Sequence, residues 1–528
     1  MCTKQFLIRE VLDKITAAGF EAYFVGGCVR DELLNLTPKD FDVTTNARPE
    51  DLRKIFTKFS NVSGNAEAFG VTIILVANGD SFEEVEIATF RKDITEGRHP
   101  EVSLDATIDD DAARRDFTIN ALYETVDGKI VDPTGKGVSD IERKVLRFVG
   151  EPLDRLREDP LRAYRFVRFG STLHFRSPYD YSSISSFKSV LNFSGVSKER
   201  KLKEIKRILG SLGFYPNSES FMIAEAIGIF EDMGLSDIFN EMKKVEQSWR
   251  WHAEGGIFQE FGLFSGLGEL VVASEIDQDI SNTIPYRHGT VYEHTLLAWK
   301  AMNLLFRSVR TGSFRIPEEI NKDFKDERWL LVLSAILHDI GKIHCEHQGV
   351  KTNTFTHLGR TFTEVVPKVS DHPFVGVEYA EDFCKNLGMS NQDTEFIKEL
   401  VREHMHAHEL TKHSRFHDIF HFVKKPLYKE IMVLAYADEL GSIKLEGHEE
   451  RSSVPEMVKD ERVVKAVAME IPDPVLTGND LIKFQRTPGP LFKKMLETAY
   501  NVQLDQNISD KDLLYKMVKN IELNDKGE

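Results

Sequence analysis

Two aspartates flank a single phenylalanine in the segment KDFDVTT at residues 39–45. Aspartate disfavours strands, yet the runs around this pair, YFVGG and FDVTT, are typical of short strands. On a strand, residues i and i+2 point to one face about 6–7 Å apart, so Asp40 and Asp42 can direct both carboxylates to one place. Two like charges are costly there unless cations lie between them. Because Mg²⁺ prefers carboxylate oxygens and leaves positions open for phosphates, the pair predicts a metal and phosphate site.

The residues around the aspartate pair have features of a phosphate site. Gly26 and Gly27 allow a close approach of the backbone to a phosphate, and Arg30 can pair with phosphate oxygens as a fork. Two metal ions about 3.5–4 Å apart can activate an attacking hydroxyl and stabilise a leaving pyrophosphate. A surface Asx-turn beside a glycine turn is the structural alternative. Glu86 is either a third carboxylate or a solvated strand residue, and Arg91 is either catalytic or structural.

Histidines are concentrated in one part of the chain. Of the 17 histidines, 14 lie between His288 and His448. His338 and Asp339 end the apolar run WLLVLSAIL, where two ionisable groups at a core face are costly without partners. Imidazole together with carboxylate suits Mn²⁺, Fe²⁺ or Ni²⁺ as well as Mg²⁺. The clustering therefore predicts a separate module, and the His338–Asp339 pair is hard to explain as an ordinary part of its core.

The elements that position these groups follow from the hydrophobic periods. Helical spacing over residues 3–18 is followed by four strand-like runs, YFVGG, FDVTT, VTIILVA and VEIATF, with the helical run RPEDLRKIFTKF between the second and third. This alternation predicts a small α/β unit, whereas helical periods dominate from about residue 155. The expected fold class is multidomain α+β, with an α/β domain at 1–150, a helical neck and body at 151–285, a histidine-rich all-α domain at 286–450 and a helical tail at 451–528.

Composition limits the possible classes of function. The chain has 528 residues and a formal net charge of -17, which argues against broad coating of nucleic acid. No run of about 18 apolar residues predicts a membrane span, so no membrane partner is expected. The four cysteines form no CxxC pair, so no disulfide-linked partner is expected and a cytoplasmic location fits. Two basic runs, KERKLKEIKR and RLREDPLRAYRFVR, either line a groove for nucleic-acid phosphates or form solvated helix faces.

Several spaced motifs between about residues 20 and 210 carry a family resemblance. They are GGCVRDELLNLTPKDFDVTT, VEIATFR, GRHP, RRDFTINALYE, VLRFVGEPLDRLREDPLRAYRFVRFG and SKERKLKEI. In this order they resemble the nucleotidyltransferases that include CCA-adding tRNA nucleotidyltransferases and bacterial poly(A) polymerases. The resemblance implies a nucleotidyltransferase palm at the N-terminus that binds Mg²⁺. It also implies template-independent addition of C, C and A, or part of that triplet, to the 3′ end of tRNA from CTP and ATP.

The resemblance assigns roles to particular residues. A base-reading role implied for Asp159 and Arg162 is physically sensible, because a carboxylate accepts from the exocyclic amine that C and A share and a guanidinium donates to ring nitrogens and carbonyls. The implied metal ligands are Asp40 and Asp42. The other implied nucleotide-binding residues are Gly26, Gly27 and Arg30 at the triphosphate, Asp116 and Asn120 at the sugar, Arg114 or Arg115 near the phosphates, and Arg165.

The histidine-rich region has a second resemblance. The motifs VYEHTLLA, LSAILHDIGKIH, SDHPFVGVEYA, VREHMHAH and LAYADELG resemble, in this order, the HD superfamily of metal-dependent phosphohydrolases. This implies hydrolysis of phosphoesters, including 2′- or 3′-phosphorylated or 2′,3′-cyclic RNA ends, with Mn²⁺, Ni²⁺, Fe²⁺ or Mg²⁺. Lys342 is a candidate phosphate contact. The implied ligands are His294, His338, Asp339 and Asp438, and a second metal position with His372 and His404 is left open.

The remaining motifs leave alternatives open. The tail segment LTGNDLIKFQRTPGPLFKKML resembles the C-terminal RNA-binding helices of family members that carry the extra histidine-rich domain. A poly(A) polymerase or an A-only adding enzyme shares the N-terminal motifs. A protein without catalytic activity, which binds RNA or acts as a sensor, is a further alternative. The presence of Asp40, Asp42, His338 and Asp339 at the motif positions argues against it. His406, His408, His413, His417 and His421 are expected mainly at the surface.

Overall fold

A computed structural model describes most of the chain, in two compact units, Met1–Ser236 and Asp237–Glu528. The described residues are 3–56, 70–78, 81–93, 102–245, 252–253, 290–307, 316–345, 350–357, 360–367, 371–410, 413–441 and 454–521.

A six-stranded sheet forms the centre of the first unit, and its strands are β1 (Ala22–Val25), β2 (Asp42–Thr45), β3 (Val71–Asn78), β4 (Ser81–Thr89), β7 (Tyr123–Glu124) and β8 (Ile130–Val131). Across the sheet the strands lie in the order β3-β4-β2-β1-β7-β8. β2 and β4 are parallel, and the other neighbouring pairs are antiparallel. A separate two-stranded ribbon pairs β5 (Lys92–Asp93) with β6 (Val102–Ser103).

The sheet confirms the four strands expected from the sequence and corrects one detail. β2 begins at Asp42, so Asp40 lies in the connection just before the strand rather than on it. The antiparallel register places Asp42 opposite Val25, the last residue of β1. Because Gly26 follows Val25 directly, strand pairing alone brings the glycine turn beside the aspartate pair.

Helices surround the sheet and then continue the first unit. The expected helix over 3–18 and the one starting at Pro49 are both present, and the second has proline in its first turn, where no backbone donor is lost. The helices are α1 (Thr3–Ala17), α2 (Gly27–Leu33), α3 (Pro49–Ile55), α4 (Ile108–Ala113), α5 (Gly137–Glu142), α6 (Pro152–Glu158), α7 (Leu161–Leu173), α8 (Tyr181–Phe187), α9 (Lys198–Leu209), α10 (Glu219–Ala226) and α11 (Ile229–Asp232).

Packed aromatic rings hold α7 against the segment that follows α4. Phe117 lies 5.0 Å from Phe148, and Phe148 lies 5.0 Å from Phe166 of α7, as measured between ring centroids. Phe169, one turn further along α7, meets Phe117 edge to face at 5.6 Å. Such pairs stabilise beyond their buried area by about 0.5–1.5 kcal/mol each. The cluster therefore fixes α7 next to the 3₁₀ turn at Thr118–Asn120.

The second unit is mainly helical, as expected. The helices among its described residues are α12 (Leu235–Lys244, whose first two residues belong to the first unit), α13 (Val291–Phe306), α14 (Arg328–Leu337), α15 (His372–Leu387), α16 (Asn391–Glu403), α17 (His406–Glu409), α18 (Phe416–Val423), α19 (Tyr428–Gly441), α20 (Val454–Met457), α21 (Glu461–Ala468), α22 (Gly478–Lys483), α23 (Pro490–Gln506) and α24 (Lys511–Val518). The buried, almost wholly apolar α14 lies between α13, α16 and α19 and delivers the His338–Asp339 pair into this core.

A β-hairpin in the second unit was not expected from the sequence. β10 (Val350–His357) and β11 (Arg360–Pro367) pair over eight residues each, and β11 also pairs with β9 (His252–Ala253). The runs VKTNTFTH and RTFTEVVP are rich in β-branched residues, which suit a pleated surface. Within the described residues, no helix is both long and apolar enough to cross a bilayer. Cys28, Cys345 and Cys384 are free thiols.

Candidate active sites

Three carboxylates meet at one edge of the palm sheet. Asp42 opens β2, and the parallel pairing of Val43 with Ile87 brings Glu86 of β4 beside it. Asp40 lies two residues before Asp42, and both aspartates are exposed to solvent. Glu86 is thus placed with the predicted pair, which favours its interpretation as a third carboxylate over that of an isolated strand residue.

The electrostatics of these carboxylates indicate a site that needs cations. Crowding by the surrounding protein raises the pKa of Asp42, the negative charge of Asp40 adds to this effect, and Arg115 opposes it. Burial raises the pKa of Glu86 as well, with a further contribution from Asp42. The carboxylates therefore repel one another in the absence of metal. An all-oxygen donor set with this excess of negative charge fits Mg²⁺.

The glycine turn beside the aspartates has a backbone conformation that favours glycine and lies against Arg115 and Asn120. Gly26 has φ of 76°, a left-handed conformation that favours glycine. A Cβ added there would lie 3.4 Å from Nη1 of Arg115 and 3.6 Å from the carbonyl oxygen of Asn120. Gly27 begins α2, which also carries Arg30. The turn, Arg115 and Asn120 therefore form one compact surface next to Asp42.

A buried acid that sequence reasoning missed holds the two neighbouring arginines. Asp111 is fully buried, its Oδ1 accepts from Nε of Arg114 at 2.9 Å, and its Oδ2 accepts from Nη2 of Arg115 at 2.9 Å. The hydroxyl of Tyr123 donates to the same carboxylate at 2.7 Å. Although burial opposes ionisation, Arg115 and Arg114 lower the pKa of Asp111. The three acids that start α4 in DDDAARR were a visible signal, but only the fold shows which one turns inward.

Two hydrogen bonds and an ion pair connect four of the residues predicted to bind nucleotide. Nη1 of Arg30 donates to Oδ1 of Asn120 at 2.7 Å, and Nδ2 of Asn120 donates to Oδ1 of Asp116 at 3.1 Å. Nη2 of Arg165 lies 2.6 Å from Oδ2 of Asp116. Asp116 is deeply buried, and although burial opposes ionisation, Arg165 and the bond from Asn120 lower its pKa. The structure thus joins residues from α2, the 3₁₀ turn and α7 into one rigid network.

The two predicted base-reading residues lie at the junction of α6 and α7 with different partners. Oδ2 of Asp159 lies 3.2 Å from Nη2 of Arg200, which comes from the basic run in α9. Arg162 donates to Oε2 of Glu158 at 2.7 Å and to the carbonyl oxygen of Arg114 at 2.9 Å. Arg162 therefore also fastens α7 to the arginine segment of the palm.

The histidine-rich module contains two groups of possible metal ligands. In the first, Nε2 of His294 lies 3.1 Å from Nε2 of His338 and 2.9 Å from Oδ1 of Asp438. In the second, Nε2 of His372 lies 3.1 Å from Nε2 of His404 and 3.2 Å from Oδ1 of Asp339. Within each group all candidate ligand atoms lie within 4.8 Å of one another. The fold thus gathers all six residues that the sequence proposed, including the pair left open.

Asp339 connects the two groups. Its Oδ2 lies 3.4 Å from Nε2 of His338 and 3.5 Å from Nε2 of His294. Its Oδ1 faces the other group, 3.2 Å from His372 and 3.7 Å from His404. A single carboxylate with one oxygen toward each group has the geometry of a bridging ligand between two metal ions.

Backbone carbonyls orient two of the rings for metal binding. Nδ1 of His338 lies 3.0 Å from the carbonyl oxygen of Ala335, and Nδ1 of His404 lies 2.7 Å from that of Val401. Because a carbonyl can only accept, each Nδ1 carries the proton and each Nε2 presents its lone pair to the centre. Burial lowers the pKa of His404 to about 4, so its ring stays neutral. Neutral imidazoles with carboxylates fit a transition metal.

Charged neighbours support the ligand carboxylates. Nζ of Lys342 lies 2.6 Å from Oδ2 of Asp339, and although burial opposes ionisation, the charge of Lys342 holds the pKa of Asp339 well below its usual range. Nε2 of His408 lies 2.9 Å from Oδ2 of Asp438. His408 was expected mainly at the surface, but it is half-buried and supports a ligand. The available signal was the histidine repeat HMHAH, in which His408 follows the proposed ligand His404 by four residues.

Comparison with protein families identifies two domains in the chain. Residues 22–147 match the model described as the Poly A polymerase head domain, and residues 291–442 match the HD domain. Both resemblances drawn from the sequence motifs are confirmed by these matches. The palm site lies inside the first range, and the six histidine and aspartate ligands lie inside the second.

The chain spans about half of the length of the CCA-adding enzymes that it matches, and less of the poly(A) polymerase. The chain is 41% identical over 203 residues to a CCA-adding enzyme of Bacillus subtilis, covering 38% of this chain and 49% of that protein. It is 39% identical over 231 residues to a CCA-adding enzyme of Lactobacillus johnsonii, covering 43% and 53%. A Poly(A) polymerase I of Haemophilus influenzae is 38% identical over 175 residues, covering 31% and 37%.

Solved structures share the fold over nearly the whole chain. The Bacillus stearothermophilus CCA-adding enzyme in complex with CTP superposes with a TM-score of 0.54 at 20% identity, covering 98% of both chains. The Thermotoga maritima CCA-adding enzyme complexed with tRNA superposes with a TM-score of 0.53 at 15% identity, covering 98% of this chain and 96% of that one. The mixed fold class expected from the sequence, helical with a sheet near the N-terminus, is confirmed by this likeness.

Proposed function

We propose that the first unit adds C, C and A to the 3′ end of tRNA from CTP and ATP. The observation that carries the proposal is the convergence of Asp40, Asp42 and Glu86 beside a glycine turn and Arg115. The terminal hydroxyl of the RNA attacks the α-phosphorus, the bond to the bridging oxygen breaks, and pyrophosphate leaves. Phosphoryl transfer of this kind depends mainly on positioning and charge stabilisation, which this surface can supply.

Asp40 and Asp42, with Glu86, would hold Mg²⁺. When bound, the metal lowers the pKa of the attacking hydroxyl and offsets charge on the transferring phosphate. Arg115, fixed by Asp111, stands ready to pair with phosphate oxygens beside the turn at Gly26. The exposure of the two aspartates leaves room for the triphosphate to approach the same atoms.

The network around Asp116 would hold the nucleotide sugar. Arg30 and Arg165 keep Asn120 and the Asp116 carboxylate in place from opposite sides, so hydroxyl groups of the ribose meet fixed acceptors and donors. Asp159 and Arg162 would read the base. Asp159 accepts from the exocyclic amine of C or A, and Arg162, held against the carbonyl oxygen of Arg114, presents its guanidinium at a defined angle.

We further propose that the second unit is a dinuclear phosphohydrolase. Its six ligands would hold two transition-metal ions such as Mn²⁺, Fe²⁺ or Ni²⁺, or two Mg²⁺ ions, with Asp339 between them. When bound, the metal pair supplies an activated water and neutralises the phosphate. Lys342 would contact a phosphate oxygen, because its ammonium group reaches the Oδ2 of Asp339 that faces the centre.

We propose that the chain divides into four domains, with the limits 1–150, 151–285, 286–450 and 451–528 that the sequence predicts. The basic run of α9 and the helical tail of α22 to α24 would contact tRNA. Because the proposed substrates are tRNA, ATP and CTP, we place the protein in the cytoplasm.

Incubation with defined tRNAs tests the first proposal. Purified protein is offered tRNA that ends before, within or after CCA, with one labelled nucleotide at a time. We expect C to be added to the first, A to the second and nothing to the third. Long A tracts on every tRNA would instead favour a poly(A) polymerase, and addition of A alone an A-adding enzyme. Binding of tRNA without incorporation would favour a non-catalytic RNA-binding protein.

A further inference from the structure

Three arginine side chains of the first unit gather around one aromatic ring, that of Phe169. Measured from the guanidinium carbon to the centroid of this ring, the distances are 3.8 Å for Arg168, 5.1 Å for Arg30 and 5.9 Å for Arg165. All three lie within the limit of about 6 Å at which an aromatic ring attracts a cation. Phe169 is 5% exposed, so the ring meets these cations in the interior of the unit.

Two of these arginines belong to the network proposed to hold the nucleotide sugar. Arg30, on α2, donates from Nη1 to Asn120 at 2.7 Å, and Arg165, on α7, lies 2.6 Å from Oδ2 of Asp116. Phe169 stands four residues after Arg165, which is about one turn of α7. The ring therefore contacts both of the cations that hold the sugar network in place.

The third arginine connects the ring to the basic helix α9. Nε of Arg168 donates to Oε2 of Glu204, which belongs to α9. Burial lowers the pKa of Arg168, the charge of Glu204 opposes this effect, and the positive charge of Arg165 adds to it. Like charges that meet in the interior of a protein repel one another strongly, because little water is present to screen them. The three cations therefore need a partner that offsets their repulsion.

An aromatic ring offsets this repulsion without occupying the donors of the guanidinium groups. The face of the ring carries partial negative charge and attracts each cation. The N–H groups stay in use elsewhere, since Arg30 still donates to Asn120 and to Asp31, and Arg165 still pairs with Asp116. A carboxylate in place of the ring would compete for the same N–H groups, and its charge would repel a triphosphate.

We propose that Phe169 is a positioning residue of the nucleotide site, whose ring holds Arg30 and Arg165 in the orientations that fix the sugar network. The inference rests on the function proposed for the first unit and adds to it a residue that acts through two arginines. A contact between a cation and a ring changes an equilibrium by a factor of about two to thirty. Because the sugar network binds the nucleotide and takes no part in bond changes, the effect should appear in KM rather than in kcat.

Replacement of the ring by an aliphatic side chain tests the size of the effect. In Phe169→Leu we expect the KM for CTP and for ATP to rise about fivefold, with kcat little changed. Phe166→Leu is the matched control, because Phe166 lies on the same helix, is 2% exposed and contacts other aromatic rings. It also loses a buried ring, but one that packs against rings and not against guanidinium groups, so its KM should stay near the wild-type value.

Fluorinated phenylalanines at position 169 separate the charge of the ring from its shape. Each fluorine atom withdraws electron density from the ring face, so the attraction for a cation falls stepwise while a flat apolar ring remains. With one, two, three and five fluorine atoms we expect the logarithm of KM for CTP to rise steadily, to about fivefold in KM with five. The same series at position 166 should leave KM unchanged, and thermal unfolding checks that each protein is folded. A KM that stays constant across the series at position 169, or rises equally at position 166, overturns the inference.

The Kd for CTP, measured without tRNA, separates this inference from the function on which it rests. It should rise across the series at position 169 together with KM. If the wild type binds CTP but adds no nucleotide to tRNA, the proposed addition is overturned, and the Kd values alone decide the role of the ring. A Kd that does not depend on fluorination overturns the role of the ring and leaves the proposed addition in place. A wild type that neither binds CTP nor adds nucleotides overturns both.

Discussion

The two candidate sites hold their acidic groups in opposite surroundings. Asp40 and Asp42 of the palm are exposed at a sheet edge, where the nearby charges are Glu86 and Arg115. In the histidine-rich module, the side chains of His338 and His404 are 0% exposed and that of Asp339 is 1% exposed. The candidate ligands of this module are also held by backbone carbonyls, by Lys342 and by His408. The carboxylate of Asp339 lies between the two ligand groups.

This difference implies two modes of metal binding. A site with few protein ligands and open access needs substrate phosphates to complete its metal coordination, so its metal arrives with the nucleotide. A largely buried set of six candidate ligands, two of them oriented by backbone carbonyls, is expected to hold metal before the substrate binds. The palm should therefore respond to free Mg²⁺ in the buffer, whereas the second centre should keep its metal through purification.

The largest expected effect is at the palm. Asp42→Ala should lower nucleotide incorporation by about 10³-fold or more, because metal-centred stabilisation of the transferring phosphate is worth several kcal/mol. Single-turnover incorporation measures the loss, and tRNA binding should change little. Asp13→Ala, an exposed acid on α1, is the control. Incorporation by Asp42→Ala at close to the wild-type rate would remove the metal role from this residue.

The second prediction concerns the resident metal. Asp339→Ala should lower phosphoester hydrolysis by at least about 100-fold, since even outer partners of metal ligands cost about 10–100-fold. Elemental analysis after exchange into metal-free buffer should find metal in the wild type and little in the variant. Nucleotide addition should persist because Asp40 and Asp42 are untouched.

A buried aspartate can also support the fold, so His294→Gln provides a second test of the same centre. His413→Gln, an exposed histidine of the same module, is the control. If the wild-type protein loses all of its metal in simple buffer exchange, the histidine-rich centre does not retain metal, and the expected contrast with the palm site is wrong.

The third prediction separates base choice from metal chemistry at the palm. Asp159→Ala should lower discrimination of CTP and ATP against UTP and GTP by about 10–100-fold, since one hydrogen-bonded base contact is worth about 1–3 kcal/mol. The ratio of kcat/KM values for the four nucleotides measures it. Arg162→Ala should affect both selectivity and speed, because Arg162 also holds the carbonyl oxygen of Arg114. An equal loss of speed with all four nucleotides in Asp159→Ala would contradict base reading.

The smallest effect concerns stability, through an acid of the first unit. Burial, with the adjacent Glu124, raises the pKa of Glu32 to about 7. This pKa exceeds that of an unfolded glutamate, about 4.3, so between these two pH values the folded state binds a proton at Glu32 that the unfolded state has lost. The free energy of unfolding that depends on this proton is therefore present at low pH and is lost as pH rises from about 4 through 7. Glu32→Gln should therefore gain about 1 kcal/mol over wild type at pH 8 and little at pH 4, after allowance for solvent screening.

Thermal unfolding at the two pH values checks this. The control is Glu10→Gln, an exposed acid on α1, which should behave as wild type at both. If Glu32→Gln stabilises the protein as much at pH 4 as at pH 8, the stabilisation does not come from the ionisation of Glu32. The acids of the second centre have the opposite sign, since the pKa of Asp339 lies well below its usual range and its contribution is lost as pH falls.

Local sequence patterns alone were enough to predict the main elements around both sites and the kinds of side chain that they carry. Local periodicity and spacing are sufficient for the strands around Asp40 and Asp42, the glycine turn, and the apolar run that ends in His338 and Asp339, because these features depend on neighbours within a few residues. The motif order was enough for the family resemblance. Domain limits and the roles of single residues stay predictions.

The residues that are distant in sequence but share a site became known only from the folded chain. His372 and His404 stand 33 and 65 residues after Asp339, so no local pattern shows that they face its Oδ1 and form a second group of possible metal ligands. The inward turn of Asp111 and the contact of His408 with Asp438 were hidden for the same reason. Burial and long-range packing set which of several similar side chains turns inward, and those are properties of the folded chain.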